Sequence, residues 1–169
     1  MKLKSILAFL LVGASFLSYG QVDELTPEEQ AYRDSITALN LENETIANSQ
    51  EAYNKGIELF SSKKYMEAIE QFGISVKFDP NFTAAYYNKG VAENEVSKFS
   101  NAVKTLDKLI ELKPNYSKAF FQRGRSYQGL NKYVKAENDY DASIKLNSTN
   151  AKAYYNYGTL RFLQLDYTG

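Results

Sequence analysis

The residue types that most often carry out chemistry in proteins are largely missing from this sequence. Its 169 residues include no His and no Cys, so the usual general base, the commonest metal ligands and the thiolate nucleophile are absent. Glu93 and Glu95 are neighbouring carboxylates, but residues two apart on a helix point in different directions. The sequence has no Gly-rich phosphate loop, zinc spacing or catalytic Ser motif. We therefore predict a protein that is not an enzyme, with no catalytic residues, no metal and no cofactor.

The charge balance gives no reason to expect nucleic acid or an anionic membrane as the partner. The chain has 20 basic and 20 acidic residues. Removal of an N-terminal segment that carries Lys2 and Lys4 leaves 18 basic residues against 20 acidic ones, a net charge of −2. Such a chain lacks the basic excess that binds polyanions. We expect a protein or a peptide as the partner.

The first 20 residues have the pattern of a secretory signal peptide. Two lysines precede an apolar run from Ile6 to Leu17, and Ser18-Tyr19-Gly20 puts small residues at the positions that signal peptidase reads. The alternative is a membrane anchor, but about a dozen apolar residues are too few to span a hydrocarbon core of ~30 Å. We expect cleavage between Gly20 and Gln21, no stable membrane span afterwards, and a periplasmic or extracellular location.

Residues 21–48 form an N-terminal extension. Thr26-Pro27-Glu28-Glu29 predicts a helix start, with Thr as the N-cap, Pro in the first turn and Glu three residues after the cap. Apolar residues then recur at helical spacing, at Ala31, Tyr32, Ile36 and Leu39. The segment from Asn40 to Glu44 indicates a break. Two interpretations stay open: a short helix that caps the remainder of the chain, or a partly disordered tether.

A period of 34 residues dominates the rest of the chain. Four glycines mark it, at Gly56, Gly90, Gly124 and Gly158. An aromatic residue follows each glycine by nine positions, at Tyr65, Phe99, Tyr133 and Tyr167. Alanine follows by twelve at Ala68, Ala102 and Ala136, and a large residue by sixteen at Phe72, Leu106 and Tyr140. Proline follows by twenty-four at Pro80 and Pro114, and Ser148 replaces the third.

This pattern resembles the tetratricopeptide repeat, whose period is 34 residues. The frames are 49–82, 83–116 and 117–150, followed by a partial repeat at 151–169 that holds the first helix only. The resemblance implies an all-α fold, a right-handed superhelical stack of helix-turn-helix repeats (an α-solenoid) that comes after the signal peptide and the short capping helix.

The physical chemistry of the repeated residues agrees with paired helices. Glycine in the middle of a helix costs about 1 kcal/mol relative to alanine, so its recurrence at one phase predicts a close approach of the second helix. Proline cannot continue a helix and restricts the residue before it. We therefore expect the second helix of a repeat to end at Lys113-Pro114-Asn115 and at its counterparts.

The resemblance implies that the first helices of the repeats line a concave groove. Two phases would form ladders along it. The aromatic ladder carries Tyr53, Tyr87, Phe121 and Tyr155, and the amide ladder carries Asn54, Asn88, Gln122 and Asn156. Amides can hydrogen-bond an extended peptide backbone, and aromatic rings give large contact areas at low entropic cost. Alternatively, the aromatic rings pack between repeats, and the pattern reflects the family rather than binding.

Basic residues make the second half of this groove more positive than the first. They are Lys118, Arg125 and Lys152, and the matching earlier positions include Gln50 and Ala84. A carboxylate of the partner could be held there. The alternative for each lysine is a solvated surface charge.

A terminal-carboxylate clamp, which some tetratricopeptide proteins build from Lys and Asn of successive repeats, is incomplete here. Asn88 and Lys118 match parts of that set. Gln122 stands where Arg is needed, and Tyr53 and Ile57 stand where Lys and Asn are needed. We therefore do not predict the binding of chaperone tails.

Two charges fall at a phase that other repeats fill with packing residues. Glu93 and Arg161 align with Leu59 and Tyr127. Because a charge at a packing position needs a partner or water, we expect Glu93 or its neighbour Glu95 to pair with Arg125.

An apolar edge comes after the last glycine, at Leu160, Phe162, Leu163 and Leu165. We expect it to lie uncovered, which indicates either a fragment of a longer protein or a surface for self-association. The predicted function is a non-catalytic scaffold of the cell envelope or exterior that holds a protein or peptide in the groove. The alternative is the N-terminal interaction module of a longer envelope protein or enzyme whose C-terminal domain is missing from this chain.

Overall fold

The computed structural model of the protein describes the backbone of residues 25–166 and the side chains of residues 25–162. Within that range every regular element is a helix, which confirms the predicted all-α class. The helices are α1 (Pro27–Ser61), α2 (Tyr65–Phe78), α3 (Thr83–Glu95), α4 (Phe99–Leu112), α5 (Ser117–Gly129), α6 (Tyr133–Leu146) and α7 (Ala151–Asp166). None of these helices is both long and apolar enough to cross a membrane. The predicted signal peptide, residues 1–20, lies outside the described residues.

The described part of the chain divides into two compact units at the boundary between residues 40 and 41. In the first unit, the predicted helix start is confirmed. The backbone N–H of Thr26 donates to Glu29 Oε2 at 3.0 Å, and the backbone N–H of Glu29 donates to Thr26 Oγ1 at 3.3 Å. This reciprocal pair satisfies two donors that the first turn of a helix leaves free. The bonds from Thr26 lower the pKa of the Glu29 carboxyl.

The predicted break at Asn40 to Glu44, and with it a separate short helix, is wrong. The backbone is helical without interruption from Pro27 to Ser61. This segment has no Pro or Gly between Glu28 and Lys55, and Asn in a helix interior costs less than about 0.7 kcal/mol. The Thr45 hydroxyl donates to the backbone oxygen of Leu41 at 2.7 Å, so this polar side chain is satisfied within the helix.

In the second unit, the repeated glycines are where paired helices approach each other. A Cβ atom built on Gly56, Gly90 or Gly124 would lie 2.6–2.8 Å from a side chain of the following helix. The side chains that fill this space stand sixteen residues after each glycine, at Phe72, Leu106 and Tyr140, and all three are fully buried. The predicted close approach is confirmed at these three positions.

The turns inside the repeats share one backbone conformation. Lys63, Ser97 and Asn131 each follow the first helix of a repeat with φ of 57–59°, the left-handed region that commonly ends helices. The next residue closes the turn. For example, the backbone N–H of Lys98 donates to the Glu93 oxygen at 2.8 Å, and that of Ser97 donates to the Asn94 oxygen at 3.1 Å. These two bonds satisfy carbonyls that the helix end would leave free.

The boundaries between repeats do not all depend on proline. Helices α2 and α4 end two residues before Pro80 and Pro114, in agreement with the prediction. Helix α6 ends without a proline, and there Asn147 Oδ1 accepts the backbone N–H of Thr149 at 3.1 Å. Such side-chain turns stop a helix by offering the backbone another partner.

The apolar edge of α7 is partly covered, contrary to the prediction. Leu160 is fully buried in a cluster with Ala136 and Tyr140, because the second helix of the preceding repeat packs on α7. Phe162 is 65% exposed. The side chains of Leu163 and Leu165 lie outside the described residues.

Candidate functional site

An open cleft of about 480 Å³ lies between the first helices of the third and fourth repeats. We call it the α5–α7 cleft. Its lining residues are Phe121, Gln122 and Arg125 of α5, and Ala151, Lys152, Tyr155 and Asn156 of α7. The structure thus brings together six of the residues that the sequence predicted, and the seventh is a small residue at the start of α7.

The lining of the cleft combines positive charge with an exposed ring. Its two charged residues, Arg125 and Lys152, are both basic. Tyr155 is 74% exposed, whereas Gln122 is only 7% exposed. A surface of cations, amides and an open aromatic ring suits a polar chain with acidic groups. In the described part of the chain, no group of three or more carboxylates could hold a metal ion.

Arg125 forms the ion pair that the sequence indicated. Its Nη2 and Nη1 atoms lie 3.3 and 3.4 Å from Glu95 Oε1, and both side chains are about one third exposed. Glu93 is not part of this contact. It is 2% exposed and lies 3.3 Å from Lys89 of its own helix. Of the two predicted partners, Glu95 is therefore the correct one.

A buried hydrogen-bond network on α3 and α5 contacts Arg125 through Gln122. Arg125 Nη1 donates to Gln122 Oε1 at 3.0 Å. The backbone oxygen of Gln122 accepts Asn94 Nδ2 at 2.9 Å, and Asn94 Oδ1 accepts the hydroxyl of Ser126 at 2.7 Å. Gln122, Asn94 and Ser126 are all buried. This network joins α3 to α5 and holds the backbone of Gln122, the residue whose side-chain oxygen accepts from the guanidinium.

A second open cleft of about 370 Å³ shares Arg125 and Asn156 with the first. Its other lining residues are Asn94, Phe99, Gln128 and Gly129. A Cβ atom on Gly129 would lie 2.6 Å from the ring of Phe99, so this glycine permits contact between adjacent repeats. The shared residues place the Arg125 side chain at the border of both clefts.

Three rings of the predicted aromatic ladder pack inside the repeats. The Tyr53 ring centroid lies 4.9 Å from that of Phe82 and 5.8 Å from that of Phe72. Tyr87 lies 5.6 Å from Tyr116. The third ring, Phe121, also packs on a ring of its own repeat, with its centroid 6.0 Å from that of Tyr140. The rings at these three positions are therefore packed, but against rings of their own repeat and not between repeats as the alternative expected, and Tyr155 is the exposed member.

The predicted amide ladder is not uniform either. Asn54 is exposed and accepts a hydrogen bond from Gln50 Nε2 at 2.9 Å. Asn88 is half-buried and donates to the Tyr53 hydroxyl at 2.9 Å. Gln122 holds Arg125, and only Asn156 and Gln122 border the α5–α7 cleft.

Arg123, two residues before Arg125, belongs to a different environment. Its Nε and Nη2 atoms donate to the two oxygens of Asp139 at 2.8 and 2.7 Å, and Nη1 donates to Asp107 Oδ1 at 2.6 Å. Burial lowers the pKa of the Arg123 guanidinium, but its bonds to the two carboxylates outweigh burial and raise this pKa above its ordinary value. Burial raises the pKa of the Asp139 carboxyl, and Arg123 offsets part of that rise.

Tyr140 fills the space beside Gly124, the residue that separates the two arginines in the sequence. Its hydroxyl donates to Gln128 Oε1 at 2.7 Å. Burial raises the pKa of Tyr140 to about 12. The ring is a packing residue and does not line the α5–α7 cleft.

Comparison with protein families gives two adjacent matches. The tetratricopeptide repeat family matches residues 53–117 and again residues 117–150. The chain belongs to the tetratricopeptide repeat (TPR) family. A search of curated proteins finds no significant match.

Several solved structures share this fold. The first TPR of Spaghetti (RPAP3), bound to the HSP90 peptide SRMEEVD, is 24% identical and superposes with a TM-score of 0.69 over 71% of this chain and 95% of that chain. The second TPR domain of human RPAP3, in complex with the HSP70 peptide SGPTIEEVD, is 24% identical, with a TM-score of 0.65 over 71% and 98%. MamA from Desulfovibrio magneticus RS-1 is 22% identical, with a TM-score of 0.67 over 71% and 68%.

The positions of the TPR carboxylate clamp are occupied differently in this protein. Gln122 is buried and engaged with Arg125, and Tyr53 packs against neighbouring rings. Lys118 is exposed and does not line the α5–α7 cleft. The positive charge of the cleft instead comes from Arg125 and Lys152.

The sequence did not reveal the residues that support the cleft. Asn94 and Ser126 carry no motif, and nothing in their spacing marks them as joined. One signal was available. Asn94 aligns with Phe60 of the first repeat and with Gln128 of the third, so this position changes from apolar to polar after the first repeat. Because a buried amide needs partners, this substitution could have indicated the network.

Proposed function

We propose that this TPR protein is a non-catalytic scaffold, exported to the cell envelope or exterior, that binds an extended peptide segment of a partner protein in the α5–α7 cleft. The cleft supplies what such a segment needs: the half-buried amide of Asn156 for its backbone, an exposed ring and two basic side chains. Peptide grooves in other folds use the same combination of backbone hydrogen bonds and side-chain contacts.

The observation that carries this proposal is the convergence of six side chains on one open surface. Phe121, Gln122 and Arg125 come from one first helix, and Lys152, Tyr155 and Asn156 come from the next. Tyr155 is the strongest anchor candidate, because its ring is largely exposed while the corresponding rings of earlier repeats are packed. Large exposed rings often dominate the binding energy of an interface.

The solved neighbours add support from outside the chain. Two of them are TPR domains in complex with short acidic peptides. Their likeness to this protein lies in the fold, so the kind of ligand is carried over here as part of the proposal.

The test is a selection of peptides followed by matched tyrosine variants. Random segments of about twelve residues, displayed between two folded domains so that no terminus is free, are selected on the purified protein. We expect Tyr155→Ala to weaken the selected peptides about tenfold, the effect of losing an interface anchor. Affinities are measured by calorimetry or fluorescence anisotropy.

Tyr154→Ala is the matched control. Tyr154 is the preceding residue of α7, is 49% exposed and does not line the cleft, so its removal should change affinity less than about twofold, as for residues outside an interface. Equal losses in the two variants, or a selection that yields no peptide, would remove the cleft from the proposal.

The export part of the proposal is tested separately. The chain is expressed with its own N-terminus in a bacterial host, and the mature protein is identified by mass spectrometry. Cleavage before Gln21 and recovery outside the cytoplasm are expected. Retention of the full-length chain in the membrane fraction would instead support the anchor interpretation.

A further inference from the structure

We infer that the α5–α7 cleft recognises an Asp or Glu side chain in the middle of the bound peptide, and that Glu95 holds Arg125 until that carboxylate replaces it. This inference rests on the proposed peptide-binding function. It adds the chemical class of the ligand and assigns Glu95 the role of an internal competitor.

The charge of the cleft is opposite to that of the mature chain. Its lining has two cations and no carboxylate, so the site keeps one positive charge in excess even with Arg125 paired to Glu95, whereas the chain from residue 21 onward carries a net charge of −2. A local excess of one sign favours a ligand group of the other sign. Arginine adds geometric selectivity for carboxylates, because its planar donors can bind both oxygens.

Arg125 is held loosely in comparison with Arg123. The Arg125 nitrogens lie 3.3 and 3.4 Å from a single oxygen of Glu95. Those of Arg123 lie 2.6–2.8 Å from three carboxylate oxygens. Both partners of the Arg125 pair are about one third exposed, and pairs this open to water contribute little to stability. A ligand carboxylate can therefore displace Glu95 at small cost.

Gln122 keeps the guanidinium in place when Glu95 leaves. Its Oε1 accepts from Arg125 Nη1 at 3.0 Å, and Asn94 Nδ2 donates to the Gln122 backbone oxygen at 2.9 Å and lies 3.5 Å from the same Oε1. Gln122 is thus a positioning residue. A preorganised arginine loses less side-chain entropy when it binds its ligand.

The two clefts indicate a carboxylate within the peptide rather than at its end. Arg125 and Asn156 border both the 480 Å³ cleft and the 370 Å³ cleft. A peptide whose acidic side chain reaches Arg125 has room to continue on both sides. The present occupant, Glu95, is itself a side-chain carboxylate in the middle of a chain.

The experiment uses the peptides from the selection between two folded domains, all of which lack free termini. We expect Asp and Glu to be enriched at one position of the selected sequences. Glu95→Gln should raise their affinity about threefold to fivefold, since an exposed ion pair is the competing interaction, and the gain should shrink at high salt. Replacing the enriched acid of the peptide with its amide should weaken binding to the wild type and abolish the gain.

Glu111→Gln is the matched control on the protein. Glu111 is an exposed carboxylate that pairs with Lys108 at 3.0 Å on α4, so its removal changes the net charge equally without touching the cleft. It should leave affinity within about 1.5-fold of the wild type, as expected for a distant exposed charge. In an Arg125→Gln background, Glu95→Gln should have no effect, because the two residues act through one contact.

The outcomes separate the two proposals. Peptides that need Tyr155 but show no acidic preference and no response to Glu95→Gln would overturn this inference and leave the proposed function intact. A parallel selection uses peptides with free C-termini, so that binding of an internal acid can be compared with binding of a terminal carboxylate. If only terminal carboxylates give binding, the inference is likewise overturned. If no peptide binds, the proposed function fails first.

Discussion

Arg123 and Arg125 are two residues apart on one helix and have opposite roles. Successive helical residues are about 100° apart, so the two side chains leave α5 in different directions. Arg123 lies between two second helices and is fixed by three short bonds to Asp107 and Asp139. Arg125 faces the cleft and is shared between Glu95 and Gln122. The partners of a charge, and their exposure, thus decide whether it stabilises the stack or is available to a ligand.

The largest expected effect is the loss of Arg123. Arg123→Met should lower the free energy of unfolding by about 3–4 kcal/mol, because it leaves the Asp139 carboxylate buried without its partner. Arg125→Met should cost less, about 1 kcal/mol, because its pair with Glu95 is exposed and the main loss is one hydrogen bond to Gln122 Oε1. Urea denaturation of both variants measures the difference. Similar losses in the two variants would contradict the division of roles.

A second test concerns Gly124, which separates the two arginines. Gly124→Ala would place a methyl group 2.7 Å from the buried Tyr140 ring and 3.3 Å from the backbone oxygen of Ala136. We expect a loss of about 2–3 kcal/mol from this overpacking. Gly158→Ala is the control, because nothing among the described residues lies within 4 Å of a Cβ at that position.

Gly158→Ala should raise stability by up to about 1 kcal/mol, the difference in helix propensity. Thermal unfolding followed by circular dichroism gives both values. A neutral Gly124→Ala variant would show that α6 can move away from α5, and that the site of Arg123 is less rigid than its bonds indicate.

A third expected effect is a dependence of stability on alkaline pH. The pKa of Tyr140 is about 12 in the folded protein and about 10 in an unfolded chain. Its contribution is therefore fully present below a pH of about 10 and is lost as the pH rises through about 12, by about 2 kcal/mol at that pH and by at most about 2.7 kcal/mol above it. The measurement is the difference between wild type and Tyr140→Phe in urea unfolding between a pH of about 9 and about 11.5. A constant difference would mean that the hydroxyl is open to solvent.

The sequence predicted the features of this structure that depend on the position of a residue within the 34-residue repeat. The 34-residue period identified which residues face the second helix, so the packing of Gly56, Gly90 and Gly124 followed from spacing alone. The period marked Glu93 as the charge that needed a partner, but Glu93 lies beside Lys89 of its own helix, and only its alternative, Glu95, pairs with Arg125.

Features that depend on side-chain direction could not be read from the period. The same phase gives a packed ring at Tyr53 and an exposed ring at Tyr155, because the difference lies in the neighbours. The burial of Leu160 depends on how closely Tyr140 approaches α7. The continuity of α1 depends on the absence of Pro and Gly, and a cluster of Asn and Glu is too weak a signal to end a helix.

One wall of the α5–α7 cleft has less support than the other. Gly158 of α7 meets no neighbouring side chain within the described part of the chain, whereas Gly124 of α5 is filled by Tyr140. Elements with fewer packed contacts open at a lower free energy than the rest of a structure. Lys152, Tyr155 and Asn156 all belong to α7. Under the proposed function, binding of a peptide to these residues would favour the ordered state of this helix and lower the population of its locally unfolded form.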